Sequence, residues 1–321
     1  MRDCVTVVGS GMMGSGIGAM AALAGNPTVL VDVDLQRAQG GLAKAKECLR
    51  LREAEGLNTK EEARRAEALL SASADLPGAV ARARLVIEAI VEKLDAKQAL
   101  FAQLDALLPP EVPLCSNTSG LRITEIAALC KNPARTLTTH FWLPAHLVPL
   151  VEVVMGDQTE EALATQVVSE LKAWQKAPVL VKRDLPGQLA NRVFQAIIRE
   201  AVSIVASGLA SAEDVDTAIG CGMAMRFPVW GPLQHLDAIG LELGLCVQDG
   251  VLPSISAEQT ANPYLRELVR QGSLGASTGR GFYDWSTRSL EADIKRRDSF
   301  IIEAVKQKSR LDKQAERGER P

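Results

Sequence analysis

The sequence predicts an α/β protein in which a parallel sheet wrapped by helices comes first and an all-helical region follows. Three observations carry the prediction. Short β-branched runs alternate with helical patterns through the first half, and a glycine-rich turn joins the first such run to the first helix. The strand signal then stops after Asp184-Leu185-Pro186-Gly187. Alternation of this kind implies right-handed crossovers between parallel strands.

Val5–Val8, Thr28–Val31, Leu85–Ile87 and Val112–Ser116 are short, apolar and bounded by Gly, Pro, Asp or Asn, the pattern of buried strands. Between them, Met12–Ala24, Leu35–Ala54 and Asp95–Leu107 carry helical spacing. Leu137–Phe141, Leu150–Val154 and Val179–Val181 are further strand candidates that extend the sheet. Leu42–Ser73 is rich in Ala, Leu, Glu, Lys and Arg and is broken once, at Gly56-Leu57-Asn58-Thr59. It predicts a helical hairpin in which Thr59 is an N-cap and Glu62 completes a capping box. The hairpin is expected to project from the sheet as an insertion.

Beyond the Pro-Gly pair, Gln188–Ser207, Ala212–Ile219, Leu233–Val251 and Pro263–Gln271 are helical in pattern and separated by Gly or Pro. A glycine-rich turn over Gly275–Gly281 leads into Phe282-Tyr283-Asp284-Trp285, and Ser289–Leu311 returns to helical spacing. The expected domains are therefore 1–185 and 186–321, which suits a chain of 321 residues. Hydrophobic residues make up 47%, enough for a packed core, and the formal charge is -3 with no long basic run. That balance argues against a nucleic-acid or anionic-membrane partner. No apolar stretch reaches the roughly 18 residues that span a bilayer. The first residues enter a strand without a basic flank, so no signal peptide is expected. Six scattered cysteines form no CxxC pair and join no metal-binding spacing. They are expected to be buried or partly buried free thiols in a cytoplasmic chain without a metal.

The turn Gly9-Ser10-Gly11-Met12-Met13-Gly14 follows a strand and opens a helix. Gly9 permits the tight turn, Gly11 leaves room for a pyrophosphate, and Gly14 lets the helix pack on the sheet. The helix N-terminus at Met12 and Met13 offers free N–H groups and the positive dipole end to phosphates. A ribose-binding acid is needed at the end of the next strand, and Asp32 closes Val29-Leu30-Val31-Asp32. Its carboxylate suits ribose hydroxyls and repels a 2′-phosphate, with Asp34 acidic too and Arg37 five residues away. The prediction is a Rossmann-type doubly wound sheet that binds NAD rather than NADP. FAD uses the same fingerprint, and a glycine-rich turn without a ligand is the plainer alternative, so the catalytic residues must decide.

Those residues are carried by several ordered motifs: Ser116-Asn117-Thr118-Ser119, His140-Phe141, Pro149-Leu150-Val151-Glu152, Asp184-Leu185-Pro186-Gly187 and Asn191-Arg192. With the glycine loop, Val86–Glu92, Gly231-Pro232, Leu236-Asp237 and Gly279–Tyr283, they resemble the 3-hydroxyacyl-CoA dehydrogenase superfamily to about Trp285. The resemblance implies that His140 is the catalytic base and Glu152 its carboxylate partner. It implies that Ser119 and Asn191 contact substrate, Ser119 lying also near the nicotinamide. Glu92 and Lys97 match positions that contact the cofactor ribose and its surroundings. The chemistry agrees, because alcohol oxidation needs a proton acceptor and imidazole titrates near neutral pH. A carboxylate on the other ring nitrogen fixes the tautomer and stabilises the imidazolium. Each residue also has a plainer reading. His140 can be a satisfied strand-end histidine, Glu152 an exposed carboxylate, Asn191 a packing amide and Lys97 a solvated helix residue. His146 and His235 match no catalytic position.

The chain departs from the family at three places. His140-Phe141-Trp142-Leu143-Pro144 has Leu143 where the family has Asn, and Gly120 replaces a second Ser. CoA users of the family carry a basic residue on the helical insertion, where this chain has Glu55, with Arg50, Arg52 and Lys60 nearby. Around Pro144–Pro149 the chain is similar to relatives acting on free hydroxy acids, namely the lambda-crystallin/L-gulonate dehydrogenase branch, the carnitine dehydrogenases and a pyridine-carboxylate dehydrogenase. The resemblance thus implies NAD-dependent oxidation of the secondary alcohol of an L-3-hydroxyacyl-CoA or related 3-hydroxy acid to the 3-keto product. A free polar hydroxy acid without CoA is the alternative, and an NAD-binding, crystallin-like structural protein is the alternative of another class. Substrate is expected between the two domains. A homodimer through the helical domain is expected from its apolar helices and from the resemblance.

Overall fold

The computed structural model describes residues 3–316. The chain divides into two compact units at Ala190/Asn191. The first is built on strands β1 (Cys4–Val8), β2 (Thr28–Val31), β3 (Leu70–Ser73), β4 (Ala83–Glu88), β5 (Leu114–Ser116), β6 (Thr136–Phe141), β7 (Leu150–Met155) and β8 (Ala177–Val181). They form one sheet in the order β3-β2-β1-β4-β5-β6-β7-β8. Neighbouring strands run parallel except β6 and β7, which are antiparallel.

Side chains alternate across the sheet, so β1 sends Val5 and Val7 to one core and Cys4 and Val8 to the other. The first core is closed by α1 (Met12–Leu23), α2 (Leu35–Ala54), α3 (Lys60–Leu69) and α7 (Glu161–Ala173). The second is closed by α4 (Leu76–Val80), α5 (Leu94–Leu107) and α6 (Ile123–Ile126). Strands buried on both faces read as continuous apolar runs, which is why the sequence shows them plainly.

The hairpin of α2 and α3 forms, and its capping box is complete. Glu62 N donates to Thr59 Oγ1 at 3.2 Å and Thr59 N to Glu62 Oε2 at 2.7 Å. Rather than standing out from the sheet, the hairpin carries the chain from β2 to β3, with Ala38, Ala45 and Leu49 of α2 and Ala63 and Ala66 of α3 buried. β3 is a strand that the helical pattern hid. Leu-Ser-Ala-Ser has no β-branched residue and pairs only because β2 presents an open ladder beside it.

The antiparallel step is equally silent in the apolar pattern. It places His140 directly opposite Glu152 across β6 and β7. Phe141 anchors the end of β6 in the core, a burial that contributes roughly 1.5–3 kcal/mol. The loop that follows contains a cis Leu143–Pro144 bond and is tied down by two buried cations. Lys176 Nζ donates to Ala145 O at 2.5 Å and Val148 O at 2.9 Å, and Arg52 Nη1 donates to His146 O at 2.6 Å.

The second unit holds α8 (Ala190–Ala206, from Asn191 onward), α9 (Ala212–Ala218), α10 (Pro232–Ile239), α11 (Leu241–Val251), α12 (Pro263–Arg270) and α13 (Leu290–Glu316). The expected helix over Leu233–Val251 is split at Gly240, whose φ of 95° is a conformation a side chain opposes. Tyr283 Oη donates to Asp216 Oδ2 at 2.5 Å, which ties the glycine-rich turn to α9. Cys221 and Cys246 are exposed, against the expectation of buried or partly buried thiols, because the helices that carry them leave much apolar surface open. Among the described residues, no helix is long and apolar enough to cross a membrane. No group of His, Cys, Asp and Glu among them could hold a metal ion.

Candidate active site

The carboxyl ends of the parallel strands converge where the strand order reverses, between β1 and β4, the usual ligand site of such sheets. Gly9 sits there with a φ of 97°, and a Cβ on it would lie 2.5 Å from Ala89 O. Only glycine permits that approach. A Cβ on Gly14 would lie 1.8 Å from Gly9 O, so the start of α1 packs directly on the turn. Around Gly11 a Cβ would meet nothing within 4 Å, which leaves open space beside the backbone. Gly11 is the N-cap of α1 and gives its first turn no side-chain cap, so Met12 and Met13 open a helix end suited to phosphate oxygens.

Asp32 is already positioned. Its Oδ2 accepts from Ser10 N at 2.9 Å and Ser10 Oγ at 2.7 Å, and its Oδ1 from Val33 N at 2.9 Å. Burial raises its pKa, but these donors, Ser10 foremost, outweigh it and hold the carboxyl below its ordinary range. Ser10 was a spacer in the sequence motif; the fold makes it the clamp on the Asp32 carboxylate. Residues 9–14 and Asp32 thus fit a dinucleotide pyrophosphate and ribose.

Three more expected residues meet after β4 and β5. Glu92 Oε1 accepts from Thr118 Oγ1 at 2.5 Å, Ser119 N at 3.0 Å and Gly120 N at 3.1 Å. Lys97 Nζ lies 3.3 Å from Glu92 Oε2 and 2.5 Å from Glu88 Oε1. Far from being a solvated helix residue, Lys97 is 1% exposed. Glu88 is fully buried and also accepts from Ser116 Oγ at 2.6 Å and Ile90 N at 2.6 Å. Burial raises the Glu92 pKa, but Thr118, Lys97 and the loop N–H groups together lower it. Glu88 had no assigned role in the sequence, although a carboxylate closing an apolar strand was a visible signal. Asn117 links this loop to the next strand, its Oδ1 accepting from Phe141 N at 2.8 Å.

His140 and Glu152 form the centre. His140 Nδ1 and Glu152 Oε2 are 2.8 Å apart, a consequence of their facing positions in the ladder. Glu152 is fully buried, which excludes the reading as an exposed strand-end acid. Oε2 also accepts from Trp142 Nε1 at 3.0 Å, and Oε1 accepts from Leu189 N and Ala190 N at 2.7 Å each. Burial pushes this carboxyl up, yet the four hydrogen bonds, His140 and Trp142 first, bring it down to about 2. A carboxylate that only accepts assigns the proton on His140 to Nδ1, leaving Nε2 to accept. Trp142 was missed because an indole N–H announces itself only through its partner.

Asn191 lies in the first turn of α8, and its Oδ1 accepts from Gln195 Nε2 at 3.4 Å. His235 stacks edge-on against Trp230, with ring centroids 5.4 Å apart. Of the candidate CoA contacts, Arg50 pairs with Glu67 at 3.1 Å, while Arg52 is buried and turned onto the loop after β6.

Residues 4–185 match the description "3-hydroxyacyl-CoA dehydrogenase, NAD binding domain", and residues 187–285 match "3-hydroxyacyl-CoA dehydrogenase, C-terminal domain". A probable 3-hydroxybutyryl-CoA dehydrogenase of Bacillus subtilis is 37% identical over 286 residues, covering 89% of this chain and 98% of that protein. Among solved structures, a 5-formyl-3-hydroxy-2-methylpyridine 4-carboxylic acid 5-dehydrogenase, described as an NAD+-dependent dismutase, superposes with a TM-score of 0.88 at 26% identity, covering 96% of this chain and 99% of that one. The (S)-3-hydroxybutyryl-CoA dehydrogenase of Ralstonia eutropha gives a TM-score of 0.73 at 32% identity, covering 89% and 99%. With both family descriptions matched in order along residues 4–285 and a relative 37% identical over 89% of this chain, the chain belongs to the 3-hydroxyacyl-CoA dehydrogenase family and is an NAD-dependent oxidoreductase acting on a CH–OH group.

Proposed function

We propose that this chain oxidises the secondary alcohol of an L-3-hydroxyacyl-CoA or related 3-hydroxy acid to the 3-keto product, with His140 as general base. The observation that carries the proposal is the 2.8 Å contact of His140 Nδ1 with a fully buried Glu152. Glu152 holds the imidazole in the Nδ1–H form, so Nε2 takes the hydroxyl proton and the resulting imidazolium faces an anion. When bound, NAD supplies the hydride acceptor. Gly9, Gly11, Gly14, Met12 and Met13 hold its pyrophosphate and Asp32 a ribose. Glu92 meets a cofactor ribose, and Lys97, shared between Glu88 at 2.5 Å and Glu92 at 3.3 Å, holds Glu92 from the buried side. Ser119 and Asn191 hydrogen-bond the substrate. The test is His140→Ala: turnover should fall roughly 10²–10⁴-fold with NAD binding retained. Unchanged turnover removes His140 as the base.

Two observations favour the second reading, a free polar hydroxy acid without CoA. Arg52 is committed inward, and the higher TM-score belongs to the pyridine-carboxylate dehydrogenase. CoA thioesters and free hydroxy acids assayed side by side through NADH absorbance separate the two readings.

The chain is further read as a cytoplasmic homodimer joined through its helical unit. Met225, Val229, Leu233, Leu241 and Leu245 are each more than 60% exposed there, an apolar surface that suits association. A monomeric mass in sedimentation at micromolar concentration would remove the dimer.

A further inference from the structure

One oxygen of Glu152 serves two ring N–H donors. Oε2 accepts from His140 Nδ1 at 2.8 Å and from Trp142 Nε1 at 3.0 Å, while Oε1 is filled by the N–H groups of Leu189 and Ala190. Glu152 stands opposite His140 in the ladder, and Trp142, one residue beyond the end of β6, brings its indole N–H to the same oxygen. The His140 and Trp142 rings lie 5.9 Å apart at an interplanar angle of 54°, so the indole flanks the imidazole without stacking flat on it. Indole has a single polar atom and can only donate, so its N–H neither competes for the proton nor titrates.

We propose that Trp142 is a positioning residue for the base: its N–H fixes the rotation of the Glu152 carboxylate and draws charge from the oxygen that orients His140. The inference rests on the reading of His140 as base. An oxygen shared between two donors is a weaker acceptor for each. The imidazolium opposite it is stabilised less than it would be by an oxygen without the second donor. The groups that face the carboxylate are His140 from β6, Trp142 from the loop after it, and the two backbone N–H groups ahead of α8. Val151 and Val153, its neighbours on β7, are apolar.

Trp142→Phe keeps an aromatic ring and removes the donor. The acid limb of the kcat/KM profile should move up by about half to one pH unit. On the acid limb this is a loss of about 3- to 10-fold, while the rate on the alkaline plateau stays within about 2-fold of the parent. The chain has only three histidines, so the His140 ring signal is identified by its disappearance in His140→Ala and can be titrated directly. Its midpoint in Trp142→Phe should rise with the kinetic limb. In a Glu152→Gln background the same substitution should shift nothing. Trp142→Leu, which also lacks a donor, is read by the same titration if the phenylalanine variant does not fold. An equal loss at every pH, or an unshifted His140 midpoint, overturns the role of Trp142 alone. Undiminished turnover in His140→Ala overturns the base assignment and this inference with it.

Discussion

A buried carboxylate keeps its charge only when its hydrogen bonds outweigh the loss of water, and Glu152 is held by four. Two come from side-chain rings and two from backbone N–H groups, so both oxygens of the carboxylate are filled. Glu152→Gln preserves the shape and removes the charge that stabilises the imidazolium. The expected outcome is a kcat lower by roughly 10²–10³-fold, with NAD affinity within about 3-fold of the parent. Steady-state rates and NAD titration check it, and a variant of near-parental kcat would show that the anion is not required. Lys97 obeys the same logic from the opposite sign. It is buried against Glu88 and Glu92, and removing one partner of such a pair costs roughly 3–5 kcal/mol.

At the scale of the element, the turn between β1 and α1 separates two duties that its three glycines share in the motif. Gly14 is needed by the fold itself, since a Cβ there would overlap Gly9 O at 1.8 Å. Gly11 is needed only by what lies beside it, since a Cβ there meets nothing within 4 Å. Gly14→Ala is therefore expected to lower the melting temperature or abolish soluble expression. Gly11→Ala should melt within about 2 °C of the parent, at a surface-like cost under about 0.5 kcal/mol. Its NAD dissociation constant should nevertheless rise about 10-fold or more, as a methyl group fills pyrophosphate space. Thermal melts with and without NAD distinguish the two, and an unchanged dissociation constant in Gly11→Ala would contradict the placement of the phosphates.

For the whole molecule, two buried groups shape stability against pH at opposite ends of the scale. The Glu152 carboxyl stands at about 2 in the fold and 4.5 as its ordinary value, a depressed acid. Its contribution, about 3 kcal/mol, is complete above pH 4.5 and is lost as pH falls toward 2. Burial, helped by the Arg52 guanidinium, pulls Lys176 down to about 7 from 10.5. The unfolded chain then binds more protons than the fold between those values, so stability rises with pH across that window. Lys176 holds the loop after β6 through Ala145 O and Val148 O, so its replacement by Met sacrifices those bonds at every pH. Denaturation at pH 6, 8 and 10 should show the parent gaining on Lys176→Met as pH rises. A constant difference would mean that the ammonium keeps its proton throughout.

Seven of the eight strands, helices α1, α2 and α5, the glycine turn, Asp32 and the residues of the His140–Glu152 pair were legible in the sequence, whereas α7 was not. Each is carried by a local pattern: a run of apolar residues, a spacing between glycines, or a motif of a few positions. β3 and the antiparallel turn from β6 to β7 were not, because strand pairing and direction depend on which ladder is open nearby. The same holds for partners: Ser10 on Asp32, Lys97 on Glu88, Trp142 on Glu152, and Arg52 turned inward. Residues far apart in the chain choose one another only when the sheet brings them within 3 Å or so, where desolvation makes a hydrogen bond obligatory. Composition and spacing state which chemistry is present; three-dimensional packing decides which groups are free to perform it.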